Sequence, residues 1–460
     1  MLPGAVREYI ESHAGELLSR LCELLRIPGV ANETPPDDHC RRAAEWLAAH
    51  MKSIGLASAV VPTAGKPAVL AEARAGADSP TLLVYCHYDV QPPDPLAEWK
   101  SHPFEPVVRD GYVYARGASD DKGPLMAYLL AVEAYLRAGG LPVNVKFFVE
   151  GEEEIGSPNA EPFLVEHRGR LAADAAVVAD TSFFARGVPS ITYGLRGLAY
   201  FEVALSRPAS DVHSGTHGGA VANPIHALAQ LIAAMHDEAG RVTIDAFYDD
   251  VLPTTDEERK AWGKLPFDEA AYAASLGIER LAGGESGLGV LERIWARPTA
   301  DCNGIFGGYT GLGSKTIIPA RASAKVSMRL VPRQEPDKIV SAFRRFVAAH
   351  TPPSMKSSVS VQSASRPVLV PTGSPVVEAG RRALREAFGR EAAMIRCGAS
   401  VPATECIQRV LGIDTLVMGC TLPDDNHHAP NERYSLEMLH GTAVAAAALM
   451  QNLGQTGRMD

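Results

Sequence analysis

The chain has 460 residues, of which 46% are hydrophobic and 21% are charged, and its net charge of −10 gives a pI near 5.8. These values are ordinary for a globular protein of two or three domains. The acidic balance argues against nucleic acid or an anionic membrane as the main partner. No stretch approaches the roughly 18 consecutive apolar residues that a membrane span needs.

The N-terminus and the cysteines indicate the compartment. The first residues lack the basic start and apolar stretch of a secretory signal. The seven cysteines are scattered, odd in number and without a CxxC pair. That usage is typical of reduced thiols and not of a disulfide framework, so we expect a cytoplasmic protein.

The first part of the chain alternates apolar, strand-like runs with amphipathic helical patterns. Helical spacing of leucines and a nearly continuous apolar run are the two patterns that recur. The predicted elements are helices over 5–26, 39–54 and 123–137, strands over 81–86, 143–149 and 175–179, and a hairpin that turns at Asp110 and Gly111. Such alternation indicates a layered α/β domain.

The pattern changes near Gly194 and changes back after Pro367. Between them we predict alternating strands and helices over 197–205, 223–234, 322–330 and 336–350, around a polar, irregular stretch at 236–300. Afterwards we predict helices over 374–388 and 435–453 and a strand over 413–418. The predicted fold is α/β with two domains. Residues 1–193 and 366–460 form one α/β domain with a mixed sheet flanked by helices, and 194–365 form an inserted α+β domain.

Residues of the metal-ligand type stand where the predicted strands end. His87 and Asp89 follow the apolar strand that ends at Cys86. Polar side chains at the carboxyl end of a buried strand fall where α/β sheets place their sites. An imidazole there can bind a metal, and a nearby carboxylate can hold its other nitrogen. Alone, the pair also fits a loop histidine and a turn aspartate.

A cluster of glutamates follows the next predicted strand. Four glutamates lie within the five residues 150–154, and Lys146 is the nearest local cation. Like charges this close raise one another's pKa unless a cation is present. The cluster therefore indicates a cation site, with an exposed acidic loop as the alternative.

Other carboxylates and histidines complete a ligand set. Asp120 precedes a predicted helix, where it fits a helix cap or a carboxylate that bridges two cations. Asp180 ends a strand, and residues 424–432 include His427 and His428; turn and surface roles are their alternatives. Together, the mixed histidine and carboxylate set suits zinc, manganese or cobalt, and a spare glutamate fits a general base for bound water.

Five motifs carry a resemblance to a known family. They are YCHYDVQP at 85–92, RGASDDKGP at 116–124, EGEEE at 150–154, DVHSG at 211–215 and SMRLVP at 327–332. From about residue 5 to 453, the chain resembles the dinuclear metallopeptidase family of carboxypeptidase G, acetylornithine deacetylase and succinyl-diaminopimelate desuccinylase. It looks closest to the branch of cytosolic non-specific dipeptidases and carnosinases.

The resemblance implies a role for each matching residue of the metal site. Two divalent ions per subunit, zinc or else manganese or cobalt, would share Asp120. The ligands of one ion would be His87, Asp120 and Asp180, and those of the other would be Asp120, Glu154 and His428. Glu153 would be the general base for a metal-activated water. Asp89 would orient His87, and the Asp120–Asp121 peptide bond would be cis.

The resemblance makes the inserted domain a lid and dimerisation domain of a homodimer. His213 would reach the partner subunit's active site and hold the developing oxyanion. Arg329 would clamp the substrate carboxylate, and Thr316 and Ser400 would contact the substrate. The implied reaction is hydrolysis of peptide (amide) bonds in dipeptides or similar small substrates with a free carboxylate.

One residue departs from the pattern of that branch. The related dipeptidases carry an acid near the substrate's free amine, and Cys397 stands at that position here. The alternative function is therefore an N-acyl amino acid amidohydrolase or a carboxypeptidase that accepts a blocked amine. A metal-free scaffold on the same fold is a further alternative, and the complete ligand set argues against it.

Overall fold

The computed structural model describes residues 1–32, 38–207 and 210–456. The chain forms two compact units. Unit 1 comprises Met1–Tyr193, Val370–Ile395 and Val401–Asp460, and unit 2 comprises Gly194–Leu369 and Arg396–Ser400. The predicted boundary puts all of 366–460 in the first domain, whereas 366–369 and 396–400 belong to unit 2. The α/β fold class is confirmed.

A six-stranded mixed sheet forms the centre of unit 1. Numbered along the chain, its strands in spatial order are β1 (Ala57–Val61), β2 (Ala68–Ala73), β6 (Asn144–Glu150), β3 (Thr81–His87), β7 (Ala175–Val178) and β17 (Asp414–Val417). The last four of these are parallel to one another, and β2 is antiparallel to both of its neighbours, β1 and β6. β3 and β7 are buried almost throughout, which explains their continuous apolar sequences.

Helices pack around this sheet. They are α1 (Gly4–Ser12), α2 (Ala14–Leu25), α3 (His39–Ser53), α4 (Lys122–Arg137), α5 (Ala160–Glu166), α6 (Arg168–Leu171), α13 (Pro375–Phe388), α14 (Pro402–Leu411) and α15 (Leu436–Thr456). The single helix predicted over 5–26 is two helices that meet at His13. α4 contacts β3, α1, α2 and α15, and its residues 122–135 are all buried. Its sequence therefore has no polar face over that stretch.

The predicted hairpin is confirmed as part of a small sheet. β4 (Val107–Arg109) pairs with β5 (Tyr112–Tyr114), and β5 pairs with β18 (Arg433–Ser435). Asp110 and Gly111 have φ values of 51° and 79°. Positive φ at both central residues is what the tight two-residue turn of a hairpin requires.

Unit 2 is built on a four-stranded antiparallel sheet. Its order is β11 (Thr299–Gly307), β13 (Arg321–Leu330), β9 (Gly197–Ser206) and β14 (Lys356–Ser365). α8 (Pro224–Ala233) and α12 (Pro336–Ala349) contact the sheet. The core includes Phe201, Val326 and Phe343. Buried and less buried residues alternate along β13, as the sequence pattern predicts.

The stretch 236–300 is less irregular than its sequence indicates. It contains α9 (Asp256–Trp262), α10 (Glu269–Ser275) and α11 (Val290–Trp295). α9 begins with a capping box formed by Thr255 and Glu258. Helices of two turns or fewer show too little periodicity for the sequence pattern to reveal them.

Short elements complete the description. They are β10 (Val212–His213), α7 (Ser214–His217) and β12 (Ile317–Ile318) in unit 2, and β8 (Ser190–Leu195), β15 (Val368–Leu369) and β16 (Ala393–Cys397) where the chain passes between units. Two 3-10 turns lie at Leu96–Glu98 and Glu153–Ile155. Within the described ranges, no helix combines the length and apolarity that crossing a membrane requires.

Candidate active site

Three neighbouring strands of unit 1 direct their carboxyl ends to the same edge of the sheet. β6, β3 and β7 are adjacent and parallel, and Glu153, His87 and Asp180 lie at or just after their ends. Ligand atoms of these three side chains lie within 4.8 Å of one another. The parallel pairing explains why residues distant in sequence meet here.

Asp120 stands between two histidines. Its Oδ1 lies 3.0 Å from Nε2 of His87, and its Oδ2 lies 3.0 Å from Nε2 of His428. Oε2 of Glu154 lies 3.1 Å from the same nitrogen of His428. Asp120, Glu154 and His428 thus form a second group whose ligand atoms lie within 4.8 Å of one another. The two oxygens of one carboxylate connect the two groups.

Asp89 links His87 to the glutamate turn. Nδ1 of His87 lies 3.4 Å from the Asp89 carboxylate and 3.1 Å from the Asp89 backbone oxygen. The same carboxylate accepts hydrogen bonds from the backbone N–H groups of Glu153, at 3.2 Å, and Glu154, at 3.0 Å. Both His87 and Asp89 are fully buried. This contact has the form that orients histidine ligands in metal sites.

The electrostatics of the site reflect crowded, buried carboxylates. Burial, together with the charge of Asp180, raises the pKa of Glu153 well above its usual value. Burial, together with Asp120, raises the pKa of Asp180 to about 6. Burial opposes ionisation of Asp120, but hydrogen bonds from His428 and His87 lower its pKa well below the usual value. Cations relieve such crowding, and a set of imidazoles and carboxylates fits zinc, manganese or cobalt.

A buried glutamate outside the predicted ligand set, Glu432, holds the turn that carries Asp120. Oε1 of Glu432 accepts hydrogen bonds from Ser119 N, Ser119 Oγ and Asp120 N at 2.9, 3.0 and 3.1 Å. Its Oε2 accepts from Gly117 N and from Arg116 Nη1, both at 2.8 Å. In the sequence, Glu432 stands out only because it belongs to the run 424–432, which is rich in ligand-type residues.

Two further residues support the same site. Gln91 donates to Glu154 Oε1 from its backbone N–H and to Oε2 from its side-chain amide, at 3.2 and 2.9 Å. A Cβ on Gly123 would lie 2.2 Å from the backbone oxygen of Ala118, so this position in the first turn of α4 requires glycine. The Asp120–Asp121 peptide bond is cis, as the resemblance implies.

The predicted substrate residues belong to unit 2 and form two pairs. Nε2 of His213 lies 3.5 Å from Oγ1 of Thr316, where β10 pairs with β12. Arg329 Nη1 donates to Ser400 Oγ at 2.9 Å. His213 is exposed and Arg329 is half-buried. Within unit 2, the fold therefore brings each of these side chains next to another predicted substrate residue.

Comparison with known proteins identifies the family. The model of peptidase family M20/M25/M40 matches residues 83–452, which is most of the chain. The chain belongs to this family. It is 30% identical over 470 residues to human Beta-Ala-His dipeptidase, covering 97% of this chain and 92% of that protein.

Two further relatives span nearly the whole chain. The Cys-Gly metallodipeptidase DUG1 of Saccharomyces cerevisiae is 28% identical over 473 residues and covers 97% of both proteins. The crystal structure of the M20 family metallo-carboxypeptidase Sso-CP2 from Sulfolobus solfataricus has a TM-score of 0.88 and 34% identity. It covers 96% of this chain and 99% of that one. The predicted family and the prediction of a metal-dependent hydrolase of peptide bonds are confirmed. These similarities to metal-dependent peptidases argue against the alternative of a metal-free scaffold.

Proposed function

We propose that the chain uses two divalent metal ions per subunit to hydrolyse dipeptides or similar small substrates with a free carboxylate. The position of Asp120 is the observation that carries this proposal. Its two oxygens each lie 3.0 Å from a different histidine, as a carboxylate shared by two ions would. The similarity to proteins named Beta-Ala-His dipeptidase and Cys-Gly metallodipeptidase supports dipeptides as the substrates.

The ligands divide into two sets that share Asp120. His87 and Asp180 complete one set, and Glu154 and His428 complete the other. The mixed nitrogen and oxygen donors favour zinc, with manganese and cobalt as alternatives. When bound, the ions polarise the scissile carbonyl and lower the pKa of water.

Glu153 acts as the general base. Its carboxylate lies within 4.8 Å of the ligand atoms of His87 and Asp180, and the two proposed ligand sets leave it free to exchange a proton. Its carboxylate accepts a proton from the attacking water and then transfers this proton to the leaving amine. Asp89 holds His87 and Glu153 in place, because it contacts the His87 ring and accepts a hydrogen bond from the Glu153 backbone.

Unit 2 supplies the groups that bind substrate. Arg329 forms a planar, bidentate clamp for the substrate carboxylate, beside the Ser400 hydroxyl. His213, next to Thr316, donates a hydrogen bond to the developing oxyanion. As in the dipeptidases that the chain resembles, this histidine serves the partner subunit's active site.

The protein is a cytoplasmic homodimer that associates through unit 2. Exposed apolar side chains on this unit support the association: Ile305 and Phe306 on β11 are 57% and 54% exposed, and Leu312 is fully exposed. Apolar groups on an exposed edge strand favour pairing with another chain. The described ranges contain all seven cysteines, and no disulfide joins them there, which supports a reducing compartment.

The second candidate function is the hydrolysis of substrates whose amine is blocked by an acyl group. Cys397 stands where the related dipeptidases carry an acid for the free amine, and its thiol carries no fixed negative charge. An N-acyl amino acid amidohydrolase or a carboxypeptidase needs no such acid. The similarity to a protein named metallo-carboxypeptidase also favours this candidate.

Hydrolysis of a dipeptide and of its N-acetyl twin by the metal-loaded enzyme tests both candidates. We expect two ions per subunit and a higher kcat/KM for the free dipeptide. A preference for the acetylated twin would establish the second candidate function. Failure to cut either compound with two ions bound would refute both proposals.

A further inference from the structure

Unit 2 places two arginines at one end of its sheet, two register positions apart. Arg329 lies on β13, and Arg196 directly precedes β9. The antiparallel register pairs Leu198 with Arg329 and Gly197 with Leu330. Arg329 is on the strand face opposite the buried Met328 and Leu330, and it is only half-buried. The two side chains therefore start from the same end of the sheet.

Both guanidinium groups bind the same short segment, 396–400. Arg196 Nε donates to the backbone oxygen of Gly398 at 2.9 Å, and Arg329 Nη1 donates to Ser400 Oγ at 2.9 Å. The backbone N–H of Arg196 also donates to the oxygen of Ala399 at 3.1 Å. These bonds fix the position of both cations, so little conformational entropy remains to be lost when a ligand binds.

These arginines lack the carboxylate partners that Arg259, Arg297 and Arg396 of unit 2 have. Arg297 forms a bidentate ion pair with Glu285, at 2.7 and 2.9 Å. Arg259 and Arg396 are likewise paired with glutamates. In the described part of the chain, the bonds of the Arg196 and Arg329 side chains go to backbone oxygens and to the Ser400 hydroxyl, and neither forms a salt bridge with a carboxylate.

The positive charge of Arg329 acts on the guanidinium of Arg196. Burial and the charge of Arg329 lower the pKa of Arg196 to about 10. Cys397 and the exposed Asp301 are the nearby groups that oppose this effect. Two partly dehydrated cations side by side are electrostatically costly, and an anion with two carboxylates would neutralise both.

We propose that Arg196 and Arg329 together select a substrate that carries a second carboxylate on an acidic side chain. The proposal rests on the proposed function, in which Arg329 binds the terminal carboxylate of a dipeptide. Arg196 then binds the additional carboxylate, for which its planar guanidinium is well shaped. The enzyme thus favours dipeptides that contain glutamate or aspartate over their amide counterparts.

Two matched substrate pairs test this inference on the metal-loaded enzyme. Ala-Glu against Ala-Gln places the charge on the leaving residue, and Glu-Ala against Gln-Ala places it on the other residue. Within each pair only the charge changes, so the ratio of kcat/KM values isolates its effect. We expect the acidic member of one pair to be preferred by about tenfold or more, the size expected for one charge-assisted hydrogen bond.

Two variants test whether the preference for acidic over amide dipeptides depends on the arginine pair. Arg196→Met removes one cation, and Cys397→Glu supplies a carboxylate beside both. Each should reduce the acid-to-amide ratio towards one, and a general loss of activity cancels in the ratio. Arg207→Met is the matched control, because Arg207 also donates to backbone oxygens within unit 2, those of Ile318 and Pro319. Its ratio should stay at the wild-type value.

The outcomes separate this inference from the proposed function. Equal hydrolysis of acidic and amide dipeptides, or a preference that survives both variants, would overturn the inference and leave the dipeptidase intact. Failure to cut any of the four would refute the proposed function. In that case, calorimetric titration with glutarate, which has two carboxylates, and with butyrate, which has one, tests whether the arginine pair binds a second carboxylate. Tighter binding of the dianion that is lost in Arg196→Met would support the pair, and no difference would overturn it.

Discussion

Removal of the negative charge of Glu432 should destabilise unit 1 strongly. In Glu432→Gln, the amide NH₂ must replace one of the two oxygens. It would face either the N–H of Gly117 and the Arg116 guanidinium or the three donors of Ser119 and Asp120. Arg116, which is 1% exposed, would also lose its counterion.

The expected loss is large because both partners are buried. Breaking a buried ion pair by changing one partner costs about 3–5 kcal/mol. Because Gln keeps the shape and one acceptor oxygen, we expect about 3 kcal/mol less free energy of unfolding, with two donors left unpaired. The turn that presents Asp120 depends on these bonds, so metal affinity should also fall by about 10- to 100-fold.

Urea unfolding of the chelator-treated protein measures the stability change without a contribution from metal binding. Competition with a chromogenic chelator then measures metal affinity. Glu437→Gln is the control, since that glutamate is 78% exposed in its ion pair with Arg186, and it should change stability by no more than about 0.5 kcal/mol. A loss below about 1 kcal/mol in Glu432→Gln, or unchanged metal affinity, would refute the reasoning.

Two further predictions concern catalysis and pH. Glu153→Gln should retain the fold and both metal ions while kcat falls by several orders of magnitude, and mixed dimers with His213→Ala subunits should regain activity. Near-normal turnover, or no recovery in verified mixed dimers, would contradict these roles. Burial and Arg20 lower the pKa of His50 from 6.5 to about 4. The unfolded chain therefore binds the proton more readily, and stability present above pH 6.5 is lost as the pH falls towards 4. His50→Gln should remove this part of the loss, as measured by urea unfolding at neutral and acidic pH; an unchanged pH dependence would contradict it.

The elements that position the site could largely be predicted from sequence because each carries a local pattern. The buried strands β3 and β7 are continuous apolar runs, and the turn at Asp110 and Gly111 has residues suited to positive φ. Candidate ligands such as His87 could be found because they follow such runs. The short helices of 236–300 could not, since their sequences are too brief to show a period.

The sequence by itself determined which residue types were available for a metal site and on which elements they lie. Only the tertiary structure decided that Asp120 faces both His87 and His428. It also decided that Glu432 accepts hydrogen bonds from the turn that carries Asp120. The contacts of Asp120 with His428 and with Glu432 join positions 308 and 312 residues apart along the chain, and its contact with His87 joins positions 33 apart. They arise from strand order and packing, and no local spacing encodes them. The same is true of Arg196 and Arg329, which become neighbours only through the register of two antiparallel strands.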